Sequence, residues 1–310
     1  MNTDKLADEL SKWQSLDELL NYFRTERRCE DFLLHIFHPE GLRCPKCGGI
    51  VIYKCGRIYH CDECNSNFSI KVGTIFQSTK LPLRKWFAAI WLDLNNKKAA
   101  SASMISRELG VTYATAWHMM MKLRKRMPQS TERLSGEVQV DAAYIGGQIK
   151  WVSKKPEGYK RGDYLQNKVS VLGLSGDRLV IKVVDEGNWK SIRPVLEQYL
   201  STDCVVFSDQ GKEFMKIGRT FGVEHYTCNH QIREYKSLFG ATTSRIEGTW
   251  SHLKRQQRGI HHLLTQKYAQ LYIDEFVYRW NTRNDTNAER IKNYFPNLRV
   301  VITWKELRMK

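Results

Sequence analysis

Three carboxylates and four thiols carry the chemistry that this 310-residue chain could do. In VQVDAAYIGG, Val138 and Val140 alternate with Gln139 and run into Asp141, the pattern of a half-buried strand presenting an acid. FSDQGKEF repeats the device, with Val205, Val206 and Phe207 leading into Asp209. RIEGTWSHLKRQQRG then places Glu247 on a helix, with Lys254 seven residues on and on the same face. Acids on two strands and a facing helix offer hard oxygen ligands suited to Mg²⁺ or Mn²⁺. Two such ions can clamp a phosphodiester, one activating the attacking oxygen and the other stabilising the leaving one. No cysteine or histidine cluster accompanies these acids to suggest zinc hydrolysis. Asp163, Asp185, Glu186, Asp203 and Glu213 compete with them. Gly187 makes a turn the simpler account of Asp185 and Glu186, and Asp203 precedes its strand.

The thiols tell a separate story. CPKC supplies Cys44 and Cys47; thirteen residues later, CDEC supplies Cys61 and Cys64. Two residues between thiols let one tight turn present both sulfurs to the same ion, and four sulfurs complete tetrahedral zinc. VIYKCGRIYH, with Gly56 at its turn, reads as the hairpin of a zinc ribbon, so one structural Zn²⁺ is expected. Cys55 and His60 are spare donors outside the paired spacing.

These groups need elements to position them. Residues 1–40 read as a helical segment, with Leu6, Leu10, Trp13, Leu16, Leu20 and Phe23 in one stripe. The ribbon occupies 41–80, its later part FSIKVGTIFQ reading as β-rich. Residues 81–130 have helix-turn-helix form: Ala102, Ile105 and Leu109 line one helix, Gly110 the turn, and Val111, Ala114, Trp117 and Met121 the inner face of the next. That second helix ends in Lys122, Arg124, Lys125 and Arg126, a cluster expected to contact DNA phosphates unless it is simply the solvated end of a helical hairpin. PQSTERLSG marks a boundary. Beyond it, strands at 138–145, 167–174 and 178–184 suggest an antiparallel meander, and strands at 204–208 and 223–228 alternate with helices at 189–200, 212–221 and 243–258. The expected fold is α/β: a ribonuclease-H-like catalytic domain over 136–300, a mixed sheet with flanking helices. Its basic stretch at 149–163 reads as a loop near the site.

Forty-nine Lys and Arg against 33 Asp and Glu leave a net charge of +16, which favours a polyanionic partner. No apolar run is long enough to span a membrane, and the N-terminus is too polar for a signal peptide. An intracellular site follows, the nucleoid of a bacterium or the nucleus of a eukaryote, where eight cysteines read as metal ligands or reduced thiols.

CPKC with CDEC, VQVDAAYIGG, FSDQG, CNH, RIEGTWSHLKR and YIDEFVYRWNTR together resemble the DDE transposases of the zinc-ribbon insertion-sequence group related to the Merlin elements. The resemblance implies a triad of Asp141, Asp209 and Glu247, a following basic Lys254, and a histidine at His230 between the second acid and the glutamate. It departs at Ala142–Ala143, where the family usually has Glu-Thr, and at Gln210, where it often has Gly. It implies binding of terminal inverted repeats and metal-dependent DNA cutting and joining. His230, Lys254 and Arg258 are then expected at the DNA, and a homodimer in the DNA complex. A DNA-binding protein without catalysis and a ribonuclease-H-type nuclease without joining are the other readings of the same residues.

Overall fold

A computed structural model describes residues 13–146, 168–228, 242–262 and 264–308. His230, Asp163, the basic stretch at 149–163 and the first residues of the N-terminal stripe lie outside them. The chain divides into two compact units, one made of 1–128 with 282–310 and the other of 129–281.

In the first unit Ser15 caps α1 (Leu16–Tyr22) through a reciprocal capping box with Glu18, and Thr25 caps α2 (Glu26–Phe37). Trp13, Leu19 and Phe23 are the buried members of the N-terminal stripe. Glu26 joins distant parts of the unit: one carboxylate oxygen meets Lys71 Nζ at 2.8 Å and the other accepts the Leu83 amide at 2.9 Å. That amide belongs to the first turn of α3 (Leu83–Asn95), where a helix has donors without intrahelical partners. Between α2 and α3 lies a three-stranded antiparallel sheet of β1 (Ile52–Cys55), β2 (Ile58–Cys61) and β3 (Ser66–Phe68). The β-rich reading of the next residues is corrected: after Phe68 the chain goes into turns that bury Ile70, Ile75 and Phe76. Two helices follow, α4 (Ala102–Leu109) and α5 (Tyr113–Arg124), with left-handed Gly110 (φ 56°) closing the first. The buried residues of α5 include Ala116, Met119, Met120, Leu123 and Met121, the last as expected; Ala114, expected inside, is exposed.

The second unit is built on a five-stranded mixed sheet in the order β6-β5-β4-β7-β8. Here β4 (Glu137–Ile145), β5 (Val169–Ser175) and β6 (Leu179–Val184) form the antiparallel meander read from the sequence, and β7 (Val205–Asp209) and β8 (Glu224–Cys228) add parallel to β4. Side-chain alternation gives each face its own core. Val138, Val140 and Val206 pack under α6 (Trp189–Tyr199) and around Phe214 and Ile217. Ala143, Ile145 and Val171 pack under α8 (Ser244–Gln256) and α9 (Ala269–Asn281). Between the two parallel strands lies only a short helix, α7 (Ile217–Phe221), because residues 212–216 are turns rather than the helix expected from 212. A π-helical turn, Gln257–His261, extends α8.

A catalytic domain was expected over 136–300; the compact second unit runs from Gln129 to Asn281. α10 (Asn287–Tyr294), a 3₁₀ turn (Phe295–Leu298) and α11 (Trp304–Arg308) return to the first unit. Phe295 meets Phe87 and Phe32 edge-to-face, each at 5.2 Å between centroids. Tyr294 donates its hydroxyl to the Leu123 carbonyl, and the Ile75 amide bonds the Leu298 carbonyl. Among the described residues no helix is long and apolar enough to cross a membrane.

Candidate metal centres and their surroundings

The four cysteines converge. Cys44 and Cys64 Sγ stand 3.6 Å apart, as do Cys47 and Cys61 Sγ, and all four sulfurs lie within 4.8 Å of one another. Sulfurs bound at about 2.3 Å around a tetrahedral ion would be about 3.8 Å apart, so this donor set fits zinc. The first knuckle forms because Gly48 takes φ 78° and returns its amide to the Cys44 carbonyl, while the Gly49 amide points at Cys47 Sγ at 3.4 Å. Glu63, inside the second knuckle, accepts the Ile50 amide at 2.7 Å and the Val51 amide at 3.1 Å, locking one knuckle to the other. The close thiols do not share their protons evenly: the amides of Cys47 and Lys46 act against desolvation and lower the Cys44 thiol, while Cys47 and Cys61 are held up. Cys55 is exposed and His60 bonds Asn67, so neither joins the cluster.

The three acids come from the elements read in the sequence. Asp141 lies on β4, the central strand, with Asp209 at the end of neighbouring β7 and Glu247 in the first turn of α8. Asp141 is the most constrained: one oxygen accepts the Trp250 indole N–H at 2.8 Å and the other the Ala142 amide at 2.8 Å. Burial first, and then the charges of Asp209 and Glu247, hold its carboxyl up at about 6, against the pull of those two donors. All three acids therefore share one electrostatic field. Among the described residues the cysteine quartet is the one group of three or more donors gathered within 4.8 Å, so the carboxylates stand wider apart than the thiols. Asp209 accepts the Gly211 amide at 3.0 Å, and Glu247 accepts the Thr243 hydroxyl at 2.7 Å.

Helix α8 can approach because the sheet is hollowed beneath it. Gly173 pairs with Asp141 across the strands, and a Cβ there would stand 2.6 Å from the Trp250 ring and 2.8 Å from Ile246 Cδ1. Two further bonds fix the start of the helix: Gln139 Oε1 accepts the Ile246 amide, and Arg245 donates to the carbonyls of Glu137 and Ser175. Trp250 is the residue that sequence reasoning missed, although its place three positions after Glu247 puts it on the same helix face. Glu213 was underrated too: a Cβ on Gly211 would lie 2.9 Å from both the Asp209 and Glu213 carboxyl groups. Asp185 and Glu186 follow β6 in a bend, where Glu186 accepts from Asn188, the residue that caps α6.

The basic cluster at the end of α5 is a correction. Lys122 is buried and gives its ammonium to the Ile75 carbonyl at 3.1 Å; Arg124 is 2% exposed and bonds the Ala100 carbonyl. Arg126 donates to the Asn297 carbonyl at 2.7 Å, and Lys125 faces Glu306 at 3.9 Å. Four cations in five residues looked like a solvent face, but the returning C-terminal segment and the turns around Ile75 cover this end of the helix. Lys122 and Arg124 therefore hold the unit together and do not face phosphate. Lys254 and Arg258, by contrast, line one cleft at the end of β4.

Residues 133–281 match the ISXO2-like transposase domain family. This second unit is an ISXO2-like transposase domain. An uncharacterised protein in transposable element ISH50 of Halobacterium salinarum is 26% identical over 205 residues, which cover 60% of this chain and 68% of that protein. Among solved structures, the Mos1 strand transfer complex aligns with 65% of this chain and 73% of that chain at 12% identity and a TM-score of 0.29. A pre-cleavage Mos1 transpososome aligns with 95% of this chain and 97% of that chain at 10% identity and a TM-score of 0.28.

Proposed function

We propose that this chain is a DNA transposase that recognises the terminal inverted repeats of its element and cuts and joins DNA at one carboxylate site. The observation that carries the reading is the placement of three acids from different elements of one unit, Asp141 on β4, Asp209 at the end of neighbouring β7 and Glu247 in the first turn of α8, whose charges with burial raise the Asp141 carboxyl. A domain gains no stability from such repulsion, but a cation-dependent site needs it. The strand order, with three antiparallel strands followed by two parallel ones, supports a ribonuclease-H-like reading of the unit.

Asp141, Asp209 and Glu247 would hold Mg²⁺ or Mn²⁺ through oxygen, a hard donor set that fits those ions. Two bound ions would supply activation of the attacking oxygen and neutralisation of the leaving one. The protein's part is orientation. Trp250 and the Ala142 amide fix both Asp141 oxygens, Thr243 fixes Glu247, and the Gly211 amide fixes Asp209. Cleavage by water exposes a 3′-hydroxyl, which then attacks a phosphodiester of target DNA; each step exchanges one P–O bond for another. The four-cysteine ribbon, with one Zn²⁺, and the α4–α5 helix pair would hold the transposon end, two copies of the chain acting together.

The test is a plasmid carrying the element's ends, incubated with Mg²⁺ or Mn²⁺. Joined products are expected. Cutting without joining would make the chain a nuclease, and end binding without cutting would leave a DNA-binding protein. Asp141→Asn, Asp209→Asn and Glu247→Gln should each abolish cutting while sparing end binding, because groups that act as a unit fail together.

A further inference from the structure

Asp141 and Asp209 stand at matching places on neighbouring strands, and the strands part just before reaching them. Parallel pairing of β4 with β7 runs from Glu137 with Val205 to Gln139 with Phe207. Asp141 lies two residues past that last pair on one strand, and Asp209 two residues past it on the other. Alternation turns both acids to the face of Gln139, where α8 packs. Beyond the parting, the end of β7 is paired, among the described residues, with β8 alone: Ser208 with Thr227 and Asp209 with Cys228.

On the opposite face a chain of two hydrogen bonds holds this end. Ser208 is fully buried there, its Oγ 2.9 Å from the Asp209 carbonyl oxygen and 2.8 Å from His225 Nε2. A hydroxyl has one proton to give. Both bonds form together when Ser208 donates to the carbonyl and His225 donates its Nε2–H to Ser208. His225 pairs with Val206, one pleat before Ser208, so its ring reaches along β7 toward the acid. Helix α7 lies close against it: a Cβ on Gly218 would stand 3.2 Å from His225 Cβ. Burial lowers the pKa of this imidazole, which therefore donates as a neutral ring. We propose that His225 is a positioning residue for the second acid: through Ser208 it fixes the backbone of Asp209 where β4 no longer supports β7. The Gly211 amide holds the carboxylate itself, at 3.0 Å, so the acid is tied both through its side chain and from behind. The proposal rests on the transposase reading, since it takes Asp209 as a ligand of the divalent ion, and adds the groups behind that ligand.

The test uses the full chain and two readouts. Mn²⁺ binding without DNA is read from the loss of the free-ion EPR signal, and cutting is read in a single turnover on a duplex bearing the terminal inverted repeat. The variants are Ser208→Ala, His225→Leu, His225→Gln and the double Ser208→Ala/His225→Leu. A glutamine amide can donate from about the place of Nε2, and leucine cannot. Ser208→Ala and His225→Leu should each weaken Mn²⁺ binding several-fold and slow cutting roughly tenfold, the scale of a lost buried bond that lets a reacting group drift. His225→Gln should recover most of both, and the double variant should be no worse than the poorer single one, because the two groups act in series. End binding without metal should not move. A His225→Gln as impaired as His225→Leu, or losses that add in the double variant, would make these packing groups and overturn the proposal. A wild type that binds Mn²⁺ and cuts while Ser208→Ala and His225→Leu match it sinks the positioning role alone. A wild type that neither binds Mn²⁺ nor cuts sinks the transposase reading as well. Ser208→Ala removes a single oxygen, so it decides the matter if melting shows that His225→Leu does not fold.

Discussion

Asp141 gives the protein a pH signature that can be read without DNA. Its carboxyl has an ordinary value of 3.8 and is held at about 6 in the fold. The folded state therefore keeps the proton that the unfolded state has released between those two values, and stability falls as pH rises through that window. The expected loss from about pH 4 to above 6 is roughly 1–3 kcal/mol at this site, discounted for partial exposure. Asp141→Asn should flatten that slope. The measurement is the urea midpoint of both proteins from pH 4 to 8 without Mg²⁺; parallel curves would mean that the acid is not under strain. Mg²⁺ should raise wild-type stability at pH 8 and do so less in the variant. Trp250→Phe removes a donor that lowers this carboxyl, so it should push Asp141 higher. Cutting at pH 6.5 should then drop more than cutting at pH 8, and an equal drop at both would reduce Trp250 to a packing role.

At the scale of elements, the approach of α8 to the sheet depends on the hollow at Gly173. Gly173→Ala places a methyl 2.6 Å from the Trp250 ring. The helix must retreat, at a cost of about 1–3 kcal/mol for overpacking, and Asp141 loses its indole partner. Cutting should fall at least tenfold with end binding kept; full activity would show that the helix can shift freely. On the ribbon, Cys44→Ser should release about one zinc per chain and loosen the first unit, leaving the transposase domain folded. Unchanged zinc content would refute the ligand assignment. Strands and acids were legible because alternation and terminal carboxylates survive in the primary structure: Asp141, Asp209 and Glu247 stand on the elements expected. Lys122 and Arg124 were misread for a physical reason. A buried cation bonded to a carbonyl looks, in sequence, the same as one reaching for phosphate. Lys122→Met should accordingly leave the salt slope of DNA binding unchanged, since the methylene stem does the packing.

For the whole molecule, the deciding fact is that residues 282–310 belong with residues 1–128. Sequence order hid this, because nothing in the helical pattern after Asn281 says which core it joins. Deleting 282–310 should unfold the first unit, which loses Tyr294, Phe295 and Leu298 from its core, and spare the second. Limited proteolysis should then yield a resistant fragment near 129–281. Resistance of the N-terminal part instead would mean that it closes without its C-terminal piece.

The same connectivity sets a clock on synthesis. The ribosome delivers Gln129–Asn281, a self-contained unit, between the two halves of the other. At about 5–20 residues per second, the N-terminal half waits roughly 8–30 s for Thr282–Leu298 to emerge. Through that interval Phe87 and Phe32 lack their aromatic partner Phe295, and the Ile75 amide lacks its carbonyl. The transposase domain is thus the first part of the nascent chain able to finish folding, and a message broken before codon 282 would make it without a finished first unit beside it.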